Sequence, residues 1–145
     1  MNIFRTLYIA LTYPARLMHR QGFGVQSPND YSFVRDVLFE DLHYYAYEEQ
    51  NIRTESDRQL WRLRYHFRSA ELIYVSPTDD AAKIYEETAD AANGNTVLVV
   101  DGLMHKNASL WRRVLRDSRA RVTFDLMDRG IITFDQKRIK QNYIL

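Results

Sequence analysis

At 145 residues, with 46% hydrophobic and 27% charged side chains, the chain has the size and balance of one globular domain able to bury a core without staples. It has no cysteine, which excludes disulfides, thiolate catalysis and thiolate metal sites and fits a reducing compartment. The formal net charge is +1, with acids and bases spread over both halves, so no block of like charge marks a polyanion partner.

Residues 2–19 carry Ile3, Leu7, Leu11, Leu17 and Met18 near helical spacing, and Pro14 is expected to end or kink that helix. Arg5 breaks the apolar run, and Pro14 and Arg16 stand where a small-residue cleavage site would be. The segment therefore reads as neither a signal peptide nor a bilayer span. A cytoplasmic location and no membrane partner are the expectations. "QGFGVQ" reads as a turn, because a dinucleotide loop needs a preceding strand and a third glycine. Next, "SPNDYSFVRDVLF" has Ser27 as N-cap, Pro28 at the first helical position and Phe33, Val34, Val37 and Leu38 on one face. "EDLHYYAYEEQNIR" is an aromatic connection with a turn or two of helix, and a second capped helix begins at Thr54 and runs to about Phe67. Its inward stripe is Leu60, Leu63 and Phe67.

The period then changes. "ELIYV" is a strand, and "PTDDAAKIYEETADAAN" a helix with Thr78 as cap. "TVLVV" is the second strand and "NASLWRRVLRD" a short helix. "ARVTFDLM" and "GIITFD" make a hairpin through "DRG", with Gly130 at the tight position. This order implies parallel pairing with right-handed crossovers and an antiparallel end.

Few residues converge on chemistry. Asp101 ends the second strand, with His105 and Lys106 close behind, where ligands bind in open α/β sheets. These three are the candidate catalytic residues. His19, His43, His66 and His105 are scattered, with no metal-ligand spacing. On the short helix Leu110, Trp111, Val114 and Leu115 form the apolar stripe, leaving Arg112, Arg113 and Arg116 outward. With Arg119 and Arg121 these could hold phosphates, though a solvated face is the simpler reading. Trp61 and the tyrosines at 44, 45 and 47 read as packing rather than base-stacking groups.

"HRQGFGVQSPNDYSFVRDVL" resembles the N-terminal signature of bacterial class I S-adenosylmethionine-dependent methyltransferase-like proteins, and "YYAYEEQNIR" is similar to the tyrosine-rich connection that follows it. "AELIYV" resembles their fourth strand, "TVLVVDGLMHKNASLWRRVL" the fifth with its helix, and "ARVTFDLMDRGIITFD" the sixth and seventh. The resemblance implies a cofactor cradle on the first three strands, for which this chain has no room, since each strand–helix repeat takes roughly 30 residues. If "AELIYV" is instead the first strand, "VSPTDD" offers no glycine for close approach to a cofactor. The metal-binding branch of the family implies an acid after the fourth strand and Asp-Asn after the fifth. Here those positions are Ser76-Pro77 and Asp101-Gly102. Gln26 and Asn29 replace the family's second histidine and its phenylalanine.

The expectation is one α/β domain, with helical residues 1–69 packed on a short, mixed four-stranded sheet in residues 70–145, a truncated Rossmann-like methyltransferase fold. The sheet order is 1, 2, 4, 3, which puts "LIYV" (Leu72, Ile73, Tyr74, Val75) on an edge that should be covered by the N-terminal helices or by a second copy. The leading function is a non-catalytic, methyltransferase-like interaction or oligomerisation module without cofactor or metal, partnered by itself or by an intact methyltransferase-like protein. The alternatives are an S-adenosylmethionine-dependent methyltransferase or cofactor binder completed across a dimer, and, least favoured, a nucleic-acid binder on the arginine face.

Overall fold

The computed structural model describes all 145 residues, Met1–Leu145. In chain order the elements are α1 (Ile3–Arg20), α2 (Pro28–Phe33), a π-helical turn (Val34–Leu38), α3 (Tyr45–Glu49) and α4 (Glu55–His66). There follow β1 (Glu71–Val75), α5 (Ala81–Ala91), β2 (Thr96–Asp101), α6 (Ala108–Arg116), β3 (Val122–Asp125), β4 (Arg129–Thr133) and β5 (Gln141–Ile144). They form two compact units, Met1–Leu17 with Ala70–Leu145, and Met18–Ser69. One boundary between them falls at 69/70, and most of α1 groups with the sheet and not with the other helices.

The first unit is an α/β fold on a mixed sheet of five strands, ordered β1-β2-β4-β3-β5. The expected order of the first four strands is found, with β1 parallel to β2 and β4 inserted antiparallel between β2 and β3. The fifth strand corrects the four-stranded expectation: β5 adds to β3 in parallel at the far edge. β2 is buried from Thr96 through Val100, which accounts for its unbroken apolar run. The core lies between the sheet and α5 and α6, where Val75, Tyr85, Leu98, Trp111, Val114 and Ile132 meet. Two details of the sheet differ from expectation. The tight turn between β3 and β4 places Met127, not Gly130, at positive φ (73°). Gly130 instead sits within β4, where a Cβ would overlap the Trp111 ring, so its lack of a side chain makes room for the indole. The cap of α5 is Asp80, whose Oδ1 accepts from the Lys83 amide at 3.2 Å, two residues beyond the expected Thr78.

At the other edge, β1 pairs with β2 alone, and Leu72, Ile73 and Tyr74 are half-buried while Val75 is fully buried. The outer edge of β1 carries no strand of this chain.

The helix α1 runs through Pro14, which neither ends it nor removes a buried hydrogen bond, since Ala10 and Pro14 both lie on the exposed side. Its amphipathicity is inverted. Arg5, Ile9 and Arg16 are buried, whereas Ile3, Phe4, Leu7 and Leu11 are 70%, 76%, 58% and 82% exposed. The apolar periodicity expected from the sequence is present, but it faces solvent.

In the second unit Gly22 and Gly24 adopt positive φ (94° and 78°), as the turn requires. Ser27 and Thr54 cap α2 and α4 as expected. Phe33, Val34 and Leu38 are buried and Val37 half-buried; on α4 Leu63 is buried, while Leu60 and Phe67 are half-buried. Arg62, on the same helix, is buried as well. It donates to the carbonyls of Val37 (2.6 Å) and Leu38 (3.0 Å) and to Glu55 (2.7 Å), satisfying the open end of the π-helical turn. Trp61 stacks on Tyr65 and meets Tyr44 and Tyr47, while Tyr45 is exposed.

Candidate functional site

Asp101 stands at the carboxyl end of β2, directly across the ladder from Arg129 at the start of β4. That register dictates its partners. Arg129 grips it through Nε at 2.7 Å and Nη2 at 2.9 Å, and Tyr74 of β1 donates its hydroxyl to Oδ2 at 2.7 Å. Asn107 donates to the Asp101 carbonyl at 2.8 Å across the Gly102 turn. Burial lowers the proton affinity of the Arg129 guanidinium, but the Asp101 hydrogen bonds and charge outweigh it, so Arg129 titrates above its ordinary value. Burial, then the carboxylate acceptor, pushes the Tyr74 hydroxyl up to about 12. Both oxygens of Asp101 are thus engaged, and the carboxylate is charge-compensated at neutral pH.

The other two strand-end candidates do not join it. His105 is exposed in the turn before α6, and Lys106 donates its Nζ to the Asp79 carbonyl at 2.5 Å. Lys106 lines an open cleft of about 380 Å³ with Asp79, Asp80 and Arg113. The Asp79 carboxylate is already accepting from the Ser76 amide, and Asp80 caps α5. The basic face is similarly divided. Arg113 is paired with Glu86, and Arg119 with Asp117, Glu86 and Asp90. Arg121 donates to the carbonyls of Arg138 and Ser118. Arg112 and Arg116 remain exposed on α6. No three His, Asp or Glu side chains converge to hold a metal ion.

A second charged cluster lies beneath α1, and composition and motif spacing do not mark it. Asp125, the last residue of β3 and 1% exposed, accepts from Arg5 Nη1 (2.7 Å) and Nη2 (2.8 Å), Arg16 Nη1 (3.0 Å), Trp111 Nε1 (2.9 Å) and the Met127 amide (3.0 Å). Arg5 also reaches the Met127 carbonyl, and Arg16 the Asp125 carbonyl and the main-chain oxygen of Leu145. Burial alone would raise the Asp125 carboxyl; the hydrogen bonds and charge of Arg5, with those of Arg16, overcome it and hold the group below the usual carboxylate range. Two guanidinium groups, 8% and 0% exposed, share this one carboxylate, while Arg5 Nε and Arg16 Nη2 are buried without a hydrogen-bond partner. The available signal is the eleven-residue interval between Arg5 and Arg16, close to three helical turns, which puts both on one face of α1.

No family model, curated protein or solved structure matches the chain.

Proposed function

We propose that the chain is a non-catalytic interaction module, built on a shortened methyltransferase-like fold, that self-associates through α1. The observation that carries this reading is the exposed stripe of Ile3, Phe4, Leu7 and Leu11 on a helix whose cationic face is buried. Monomeric proteins seldom leave a large contiguous apolar patch in water. Burying each such side chain contributes roughly 1.5–3 kcal/mol, and four from each copy compete with an association cost of about 4–15 kcal/mol. The stripe carries no acid or base, so two copies related by a two-fold axis present like surfaces without charge conflict. The β1 edge is the lesser candidate, because Leu72, Ile73 and Tyr74 are already half-buried and have less to gain.

The engaged state of Asp101 supports the non-catalytic part of the reading, since a metal or hydroxyl ligand there would have to displace Arg129 and Tyr74. Light scattering of the wild-type chain, of Leu7→Glu/Leu11→Glu and of Ile73→Lys tests the surface. The proposal expects a dimer that the α1 pair dissociates and Ile73→Lys does not. A monomer at all concentrations, or a dimer lost only with Ile73→Lys, would overturn the α1 assignment.

A further inference from the structure

We infer that the Asn93–Gly94 step, in the turn between α5 and β2, is a site of spontaneous covalent modification, at which Asn93 loses ammonia through a cyclic imide and becomes aspartate or isoaspartate. Every other asparagine precedes a residue with a side chain. Only Asn93 precedes glycine, whose bare backbone leaves its amide nitrogen open to close approach. Asn93, Gly94 and Asn95 are all exposed, so water and hydroxide reach the turn. Asn93 Oδ1 accepts from the Asn95 amide at 2.8 Å, which folds the carboxamide forward over Gly94 and draws electrons from Cγ. The Gly94 N–H and Asn93 Nδ2 take part in no hydrogen bond, so neither the nucleophile nor the leaving group is tied down.

Solvent hydroxide removes the Gly94 amide proton, and the nitrogen attacks Asn93 Cγ. A Cγ–N bond forms to close the ring, and the Cγ–Nδ2 bond breaks as ammonia leaves with a proton taken from water. Water then opens the imide. Attack at Cγ gives aspartate, and attack at the main-chain carbonyl gives isoaspartate, in which the chain runs through Cβ and Cγ. Asp101–Gly102 is the other step of this kind, and the structure protects it. Its carboxylate is ion-paired with Arg129 and accepts from Tyr74, which hold it away from the Gly102 nitrogen. Two bonds close the Asn93 turn, from the Thr96 amide to the Asn93 carbonyl at 3.1 Å and from the Asn93 amide to Thr96 Oγ1 at 3.1 Å. They set the start of the buried strand β2. Isoaspartate adds a methylene to the backbone between them and loosens that start, whereas aspartate keeps the backbone and the bond to Asn95. Both products add negative charge beside Asp135, whose carboxylate lies against Gly94.

Peptide mapping of the folded protein after incubation in mildly alkaline buffer tests this, with electron-transfer fragmentation separating aspartate from isoaspartate. The peptide holding Asn93 should show amide-to-acid exchange with both products, while Asn107 and Asn142 stay intact and Asp101 stays unisomerised. Gly94→Ala should slow the exchange by about tenfold or more. That variant should fold as the parent does, because Gly94 is not at positive φ and an added Cβ meets only Asp135, at 3.7 Å. In thermal melts Asn93→Asp should match the parent, and the isoaspartate fraction should unfold at a lower temperature than either. Asn93 left intact in the folded protein while the same free peptide converts in the same buffer would overturn the site. Exchange in Gly94→Ala as fast as in the parent would overturn the imide route. Isomerisation of Asp101 as fast as the change at Asn93 would overturn the protection assigned to Arg129 and Tyr74.

Discussion

Replacing Asp125 by asparagine changes almost nothing in shape and removes the side-chain carboxylate shared by two buried arginines. Five donors converge on that side chain, from Arg5 twice, Arg16, Trp111 and the Met127 amide. The amide retains one oxygen and sets an NH₂ donor against donors on the other side. Removing one partner of a buried ion pair costs about 3–5 kcal/mol, because the charges left behind stay desolvated. Against a total stability of about 5–15 kcal/mol this is a large fraction. At about 3 °C per kcal/mol it corresponds to a fall of roughly 10–15 °C in Tm. Thermal and urea unfolding followed by circular dichroism at pH 7 measure it directly. A companion variant, Arg5→Met/Arg16→Met/Asp125→Leu, removes the whole cluster and should recover most or all of the loss, since apolar replacement of a buried ion network is often neutral or stabilising. An Asp125→Asn protein within about 1 kcal/mol of wild type would refute the claim that the cluster is desolvated and interdependent.

Gly130→Ala should destabilise by about 1–3 kcal/mol in the same assay, because the new methyl group overlaps Trp111 and pushes its indole off Asp125. Acid titration should show the Asp125 contribution complete above the unfolded-chain value of about 3.9 and lost as pH falls through its lower folded value; Asp125→Asn should flatten that limb. Tyr74 moves the other way: its raised folded value favours the fold below the unfolded value of about 10, and this is lost as pH rises toward about 12. Phenolate absorbance together with urea melts of Tyr74→Phe should show the alkaline slope reduced. Asp101→Asn should lower stability by about 3–5 kcal/mol, since Arg129 would be left uncompensated in a buried place.

The legible parts of the fold were those with local causes. Ser27 and Thr54 cap their helices, β2 reads as a strand from the four apolar residues Val97–Val100 in a row, and α6 shows its stripe through Leu110, Trp111 and Val114. β5 escaped because "QNYI" is a polar four-residue edge strand held by parallel pairing to β3, with no pattern of its own. Thr78 and Asp80 are both competent caps, but Thr78 lies within the Ser76–Asp79 turn with its hydroxyl on Ser76 Oγ, and Asp80 takes the cap. The orientation of α1 was not legible for a stronger reason. An apolar stripe normally faces inward, and here the arginine face is drawn in by Asp125, 120 residues away from Arg5 in sequence. Asp101 is visible in the sequence as a strand-end acid, whereas its partner Arg129 is brought opposite it only by the β2–β4 register.

If the chain is, as proposed, an interaction module without a working strand-end site, calorimetric titration of the folded protein with S-adenosylmethionine and S-adenosylhomocysteine, the most direct test, should give no saturable heat with either. Saturable binding near one ligand per chain or per dimer would contradict it, and would mean that a cofactor cradle is assembled from residues assigned here to structure.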